Sequence, residues 1–262
     1  MTSDLTSMIR RLERAQALQN ERFNQAAGGT SLPLGGGFVH FRGEGHPLNQ
    51  ALGLIDPITE AELIEAENLL SRGGHPTILE LSPGADPALW ALLARRGYRV
   101  HQFQQLWVKA LTEAAPPLTP QASLDSPITI RLVGVEGGPQ LSQVVGAGFA
   151  GVDDWKSHIP FFPLNLAVEQ AWGLLALIGG EPAGGATLGL AEGVAMLSGD
   201  ATLPAFRGRG VQKALIRERL RLAREKGCDL ACAGTLPSTP SQRAYEACGF
   251  RAAYPKIEMA RG

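Results

Sequence analysis

The sequence has little excess charge of either sign and no long apolar run. Its 24 basic and 25 acidic residues give a formal net charge of −1. General binding to nucleic acid or to anionic membranes needs a sustained basic surface, so this balance argues against both kinds of partner. The longest apolar stretch, near 171–180, is too short to span a bilayer.

Cysteine is also scarce. Cys228, Cys232 and Cys248 are odd in number and lack the spacing with histidines that a metal site needs. We interpret them as reduced, buried thiols of a cytoplasmic protein that holds no metal. The first residues carry arginines without a following apolar core, which is not the pattern of a secretory signal.

The 262 residues suffice for two modest domains or one large one. The segment 112–127 is rich in proline, serine and alanine and has no periodicity, so we interpret it as a linker. It separates a domain at 1–111, which opens with a helix, from a domain at 128–262. Both alternate helical and strand patterns, which predicts the α/β class with helices layered on a sheet.

Local signals predict several elements of the first domain. Apolar residues at helical spacing predict an amphipathic helix over 4–27. Thr59 and Glu62 have the spacing of a capping box, with Gly73 as the stop of that helix, and Asp86 caps the next one. The stretch GGTSLPLGGG between these helices predicts a loop.

The two domains resemble each other at a shift of 152 residues. LLARRGYR matches AYEACGFR when Gly97 is aligned with Gly249. The apolar face of an upstream helix is kept without a gap, since Leu63, Ile64 and Leu70 fall on Leu215, Ile216 and Leu222. This pattern predicts a duplicated fold.

The stretch PAFRGRGVQKAL, residues 204–215, leads from a predicted strand into a predicted helix. The first amides of a helix lack partners, and the helix dipole is positive there. Gly208 and Gly210 let a phosphate approach these amides, and Arg207 and Arg209 add forked donors. The stretch predicts an anion site; a glycine turn with surface arginines is the alternative.

Two motifs give the second domain a resemblance to the GNAT superfamily of acyl-CoA-dependent N-acyltransferases. ATLPAFRGRGVQ follows the family's run of proline, aromatic and R/Q-x-x-G-x-G/A, with Gln212 in place of the last small residue. STPSQRAYEACGF follows N-x-x-A-x-x-x-Y-x-x-x-G-F, with Ser238 at the asparagine position and Tyr245 kept. The resemblance covers 128–262.

The resemblance implies two tandem GNAT-like domains, each a mixed, mostly antiparallel sheet flanked by helices, with the first one degenerate. It also implies direct acetyl transfer from acetyl-CoA to a small primary amine in a ternary complex. The CoA pyrophosphate would lie on the amides of 208–213, and the pantetheine arm along the strand before them. The cofactor-binding residues implied are Ala201, Thr202, Leu203, Arg207, Gly208, Arg209, Gly210, Val211, Gln212, Lys213 and Ser238.

The resemblance further implies catalytic roles. Tyr245 would protonate the departing thiolate, since a phenol of pKa about 10 carries its proton at neutral pH and the thiol titrates near 8.5. The alternative for Tyr245 is an ordinary core aromatic. Asp200 is implied as the general base, and the alternative is an aspartate that only forms a turn. The acceptor site would include Asp153, Asp154, Trp155 and His158, with His158 as a second candidate base or an ordinary surface histidine.

The first domain lacks these features. At the shift of 152 residues, Arg207 to Gly210 correspond to Ile55, Asp56, Pro57 and Ile58, and Tyr245 corresponds to Leu93. Proline has no N–H, aspartate repels phosphate, and the following helix is capped by its own side chains. We expect this half to be a structural partner or an acceptor-side wall that does not bind CoA.

Two other functions stay open. A GNAT-like fold that holds acyl-CoA without catalysis would be a regulatory or scaffold protein. Nucleic acid could bind the basic helix 211–226, but a solvated helix face accounts for that pattern more simply. The acceptor amine, the acyl chain and the oligomeric state are not determined by these motifs. The basic residues of that helix are Lys213, Arg217, Arg219, Arg221, Arg224 and Lys226.

Overall fold

A computed structural model describes residues 2–111, 127–150 and 166–262 of the protein. These residues form a mixed α/β arrangement of mostly antiparallel strands with flanking helices, so the predicted fold class is confirmed. The predicted linker lies outside the described residues except for Pro127.

Contacts between residues divide the chain into two compact units. The first unit contains residues 1–106 and 253–262, and the second contains residues 107–252. The end of the chain therefore belongs by its contacts to the first unit, whereas the predicted second domain, 128–262, includes it. The predicted domain boundaries stay a prediction.

The first unit holds three helices, α1 (Thr2–Ala26), α2 (Glu60–Leu70) and α3 (Pro87–Arg95). Its strands are β1 (Thr30–Leu34), β2 (Gly37–Phe41), β3 (Gln50–Leu52), β4 (Thr77–Leu81), the start of β5 (Arg99–Ala110) and most of β11 (Arg251–Arg261). They lie in the order β1-β2-β3-β4-β11-β5. The helix predicted over 4–27 is confirmed as α1, and its stripe residues Leu12 and Ala15 are fully buried.

The loop predicted for GGTSLPLGGG is wrong, because residues 30–34 form β1 and pair antiparallel with β2. Gly35 and Gly36 have φ of +53° and +83° and make the two-residue turn of a β-hairpin. Pro33 is tolerated because β1 is the edge strand of the sheet, where a missing amide costs no ladder hydrogen bond.

The predicted helix caps of the first unit are confirmed. The Thr59 amide donates to Glu62 Oε2 at 2.8 Å, and the Glu62 amide donates to Thr59 Oγ1 at 3.3 Å. Asp86 accepts from the amide two residues later and caps α3. The stop at Gly73 is wrong by one residue: α2 passes into a 3₁₀ turn, and Gly74 takes the left-handed conformation.

The last strand joins the first unit through pairing and charge. β11 pairs antiparallel with β4, with Ile257 opposite Leu81. Lys256, which is almost fully buried, lies 3.0 Å from Glu13 and 2.6 Å from Glu80. Because a buried ammonium needs such partners, this ion cluster anchors the end of the chain in the first unit.

The second unit holds α4 (Gly138–Ala150), α5 (Val211–Glu225) and α6 (Pro240–Ala247). Its strands are the end of β5 with β6 (Ile128–Val133), β7 (Ala171–Ile178), β8 (Glu181–Ala191), β9 (Val194–Thr202) and β10 (Leu230–Thr235). They lie in the order β5-β10-β9-β8-β7-β6. Neighbours from β6 to β9 are antiparallel, and β9 and β10 are parallel. Leu188, Leu215 and Ile216 are fully buried in the core that joins α5 to the sheet.

Candidate active site

The parallel strands β9 and β10 separate along their length. The register joins Val194–Met196 to Leu230–Cys232, but β9 continues to Thr202 and β10 to Thr235. At the end of β10, Trp107 Nε1 donates to Thr235 Oγ1 at 2.9 Å. In the part of the chain that the structure describes, the second half of β9 thus has no ladder partner on its β10 side.

A β-bulge bends β9 at the same place. Gly185 pairs with Ala201 and Thr187 with Ser198, so β9 has one residue more than β8 between these two pairs. Gly199, inside the bulge, has a φ of +65°, which only glycine adopts without steric cost. The bulge re-aims the residues that follow it, which are the proposed pantetheine edge.

The edge itself is only partly free. The Leu203 amide donates to the Ala183 carbonyl at 3.0 Å, and the Leu203 carbonyl accepts from the Phe206 amide at 2.9 Å. The main-chain groups of Leu203 are therefore engaged within the protein. The Thr202 carbonyl also accepts, from Arg207 Nε at 3.4 Å. Ala201 and the Thr202 amide stay the better placed of the groups predicted to pair with pantetheine.

The start of α5 has no side-chain cap. Its N-cap, Gly210, has a φ of +83°, and Gly208 has a φ of +78°. The Ala214 amide makes the first helical hydrogen bond, to Gly210 at 3.0 Å. Among the described residues, no protein oxygen accepts from the amides of 211–213. These amides and the positive end of the helix dipole form a corner that suits an anion.

The two arginines of the turn differ in their contacts. Arg207 donates to the Gly148 carbonyl at 3.0 Å and to the Thr202 carbonyl at 3.4 Å. The Arg209 guanidinium lies 5.7 Å from the centre of the Phe206 ring. Arg207 therefore ties the turn to α4 and β9, and the cofactor role of both arginines stays a prediction.

The two departures from the family motifs lie at neighbouring helix starts. Gln212 Nε2 donates to Ser241 Oγ at 2.8 Å and so joins the first turns of α5 and α6. Ser238 has a φ of +63° and precedes Thr239, which is the N-cap of α6. The long Gln212 side chain thus has a defined partner in the first turn of α6.

Tyr245 and Asp200, the two predicted catalytic residues, are in contact. The Tyr245 hydroxyl on α6 donates to Asp200 Oδ2 on β9. Arg219, from α5, donates to the other carboxylate oxygen. Tyr245 and Arg219 are 1% and 0% exposed, so the three side chains form a buried network. Their roles in catalysis stay predictions.

The network determines the ionisation of the phenol. Burial and the neighbouring Asp200 charge raise the pKa of Tyr245 well above its ordinary value of 10, and the Arg219 charge offsets part of that effect. Tyr245 is therefore a neutral phenol that carries its proton at physiological pH. A proton donor to a thiolate must be in this state.

Arg219 was missed as a site residue. The pattern of charges predicts it to be one of the surface cations of α5, yet it follows Leu215 and Ile216 at the spacing of one helix face. A charged residue inside an apolar stripe was the signal. The same helix is a poor nucleic-acid surface, because Arg221 pairs with Glu218 and Glu225 and Arg224 donates to the Leu111 carbonyl.

The predicted acceptor residues Asp153, Asp154, Trp155 and His158 lie outside the described residues. Among the residues that are described, no helix is both long and apolar enough to cross a membrane. The three cysteines are free thiols, with Cys228 and Cys232 buried and Cys248 half-buried.

Comparison with known proteins identifies the fold. Residues 150–250 match the Acetyltransferase (GNAT) family. The chain is similar to a GCN5-related N-acetyltransferase from Kribbella flavida, with a TM-score of 0.65 and 18% identity over 90% of this chain and 91% of that one. No curated protein matches the chain.

Two further solved structures are similar. A tandem GNAT protein from the clavulanic acid biosynthesis pathway has a TM-score of 0.56 and 16% identity over 77% of this chain and 68% of that one. A GCN5-related N-acetyltransferase from Sphaerobacter thermophilus has a TM-score of 0.52 and 17% identity over 77% and 66%. At these identities the similarity shows the fold alone.

Proposed function

We propose that the second unit, residues 107–252, which contains the match to the GNAT family at 150–250, transfers an acetyl group from acetyl-CoA to a primary amine of a small molecule. The observation that carries the proposal is the uncapped start of α5 beside the point where β9 and β10 separate. A diphosphate suits free amides at a helix start, and an extended pantetheine arm suits an unpaired strand edge. Acetyl-CoA has both parts, and the reaction needs no metal.

The residues divide between the two parts of the cofactor. The amides of 208–213 would hold the pyrophosphate, with Arg209 as the arginine more available for it. Ala201 and Thr202 would pair with the pantetheine arm, and one N–H of this edge would polarise the acetyl carbonyl. Ser238, close to the start of α6, stays a proposed CoA contact.

The reaction is a direct attack. The ammonium first loses one proton, and the neutral amine nitrogen then forms a bond to the carbonyl carbon while the carbon–sulfur bond breaks. Nitrogen loses a second proton and sulfur gains one. Tyr245 would supply the proton to sulfur, and Asp200 or His158 would receive the first proton from nitrogen. A primary amine is a cation at neutral pH, so Asp153 and Asp154 would attract it to the acceptor side. We place the protein in the cytoplasm, where acyl-CoA and reduced thiols coexist.

Calorimetry with acetyl-CoA, followed by a panel of small amines monitored for free thiol, tests the proposal. We expect saturable binding and thiol release with at least one amine. Tyr245→Phe should lower kcat about 10²- to 10⁴-fold, the range of general acid catalysis, with nearly unchanged acetyl-CoA affinity. Equal turnover by this variant would remove the proton-donor role.

The alternative is a non-catalytic protein that binds acyl-CoA as a regulator or scaffold. It is supported by Asp200, since both of its oxygens already accept from internal donors. Binding without thiol release from any amine of the panel would favour it. Absence of acetyl-CoA binding would contradict both functions.

A further inference from the structure

Arg219 connects three elements of the second unit from a fully buried position. Its Nε donates to the Leu215 carbonyl on α5 at 3.2 Å. Its Nη1 donates to the Thr187 carbonyl on β8 at 3.1 Å and to the Ser198 carbonyl on β9 at 3.3 Å. Its Nη2 donates to the Asp200 carboxylate. The side chain is therefore held by main-chain acceptors as well as by charge.

These acceptors surround the bulge of β9. A bulge leaves ladder groups without strand partners, and a forked guanidinium can satisfy several at once. Ser198 and Asp200 flank Gly199 on either side, and both accept from Arg219. Arg219 thus stabilises the bend that positions Asp200 and the strand edge after it.

The carboxylate at the centre of the network is fully engaged. Asp200 accepts from Arg219 through one oxygen and from the Tyr245 hydroxyl through the other, and its side chain is 8% exposed. A substrate amine could reach these oxygens only by displacing an internal donor. The arrangement fits a carboxylate that orients a phenol better than one that takes a proton from an amine.

Resting on the proposed acetyl transfer, we propose that Arg219 and Asp200 are positioning residues which hold the Tyr245 hydroxyl, and that Asp200 is not the general base. Arg219 partly neutralises the charge of Asp200, so this carboxylate attracts the phenol proton less strongly. A thiolate that develops on the CoA sulfur therefore competes with Asp200 for that proton. The O–H bond of Tyr245 breaks, the S–H bond forms, and the electron pair left on the phenolate oxygen is offset by Arg219. The proton released by the acetylated amine restores the phenol through water.

Double-variant kinetics test this assignment. Asp200→Asn and Tyr245→Phe should each lower kcat at least tenfold, and the double variant should be no slower than Tyr245→Phe alone. The acidic limb of the kcat/KM profile against pH should persist in Asp200→Asn. If the two effects on kcat multiply in the double variant, or if Asp200→Asn loses the acidic limb, Asp200 is the base and the proposal is overturned.

The first unit offers a matched control. The Tyr254 hydroxyl donates to Glu13, a carboxylate that also pairs with a buried cation, Lys256. Tyr254→Phe therefore removes a phenol from an equivalent buried ionic network outside the proposed site. Its kcat should equal that of the wild type; a loss as large as that of Tyr245→Phe would show that the kinetic effect reports stability, and would overturn the proposal.

A second measurement does not need activity. Tyrosine labelled at Cζ reports phenol ionisation by NMR, and Tyr245→Phe assigns the signal. Asp200→Asn should lower the pH at which Tyr245 ionises, because it removes the anion and leaves the Arg219 cation. An unchanged midpoint would overturn the proposal even if the wild type acetylates amines. A wild type without transferase activity but with the expected shift would instead reject only the proposed function.

Arg219 itself is tested with and without the opposing charge of Asp200. Arg219→Gln alone leaves a buried unpaired carboxylate and is expected to unfold more easily. Combined with Asp200→Asn it removes both charges, and this pair should melt at a higher temperature than Arg219→Gln. Arg221→Gln, on the exposed face of α5, is the control and should change neither melting nor the Tyr245 signal. A double variant that melts no higher than Arg219→Gln would contradict the coupling.

Discussion

The starts of α2 and α5 correspond in sequence. Their first backbone amides differ in what they bind: side chains of the protein cap α2, and no side chain caps α5. At α2, Thr59 and Glu62 exchange hydrogen bonds, and Asp56 lies 3.0 Å from Arg10. At α5, Gly210 is the cap and offers no side chain. Every helix start has unpaired amides and a positive dipole end. Whether an internal carboxylate or an external anion satisfies them is decided by a few side chains.

The later helices that correspond to each other, α3 in the first unit and α6 in the second, show the same contrast. Tyr245 on α6 reaches the Asp200 carboxylate, whereas Leu93 on α3 is buried in the apolar core of the first unit. At these corresponding positions the second unit thus has an uncapped helix start and a phenol, and the first unit has neither. A fold of this kind does not depend on such side chains.

The largest effect on this comparison is expected from giving α5 the carboxylate of α2. Gln212→Glu places an acid in the first turn, where it suits the dipole and can still accept from the Ser241 hydroxyl. Its repulsion of a diphosphate should cost ~1–3 kcal/mol, which is roughly five- to 150-fold in acetyl-CoA affinity by calorimetry. Thermal stability should be maintained.

Gln143→Glu, at an exposed position of α4, adds the same charge away from the helix start and is the control. It should leave acetyl-CoA affinity almost unchanged. If Gln212→Glu binds acetyl-CoA at low salt as tightly as the wild type, the pyrophosphate does not lie on the start of α5.

A smaller effect is expected from opening the start of α2. Thr59→Ala removes the acceptor of the Glu62 amide and should destabilise the protein by about 1 kcal/mol in denaturant unfolding. Thr239→Ala removes the side-chain cap of α6 and is the change in the second unit that matches Thr59→Ala. Acetyl-CoA affinity should be unaffected by Thr59→Ala; a loss as large as that of Gln212→Glu would mean that both helix starts serve the cofactor.

The smallest effect is the pH dependence of the same cap. Hydrogen bonds from the Thr59 hydroxyl and amide lower the pKa of Glu62 from its ordinary value. Since the folded-state pKa is depressed, the stabilisation is present above the unfolded pKa of about 4.3 and is lost as the pH falls through the folded value. The difference in melting temperature between wild type and Glu62→Gln should shrink on acidification below this range. A constant difference down to strong acid would contradict this role.

Much of the fold could be predicted because its signals are local. The caps at Thr59 and Asp86 and the stripe of α1 depend on residues within one or two helical turns. The β1–β2 hairpin was missed although its signal is equally local. The stretch GGTSLPLGGG was interpreted as a loop, although Gly35 and Gly36 form the hairpin turn between β1 and β2.

By itself, the sequence determined the capped helices and the apolar stripe of α1, the family motifs and the contrast between an uncapped and a capped helix start. These follow from neighbouring residues and from backbone groups that every helix shares. Only the tertiary structure decided that Arg219 is buried against Asp200 and that the strand with Lys256 completes the first unit. Such contacts join residues far apart in the chain, and the cost of burying a charge is set by the partners that folding brings to it.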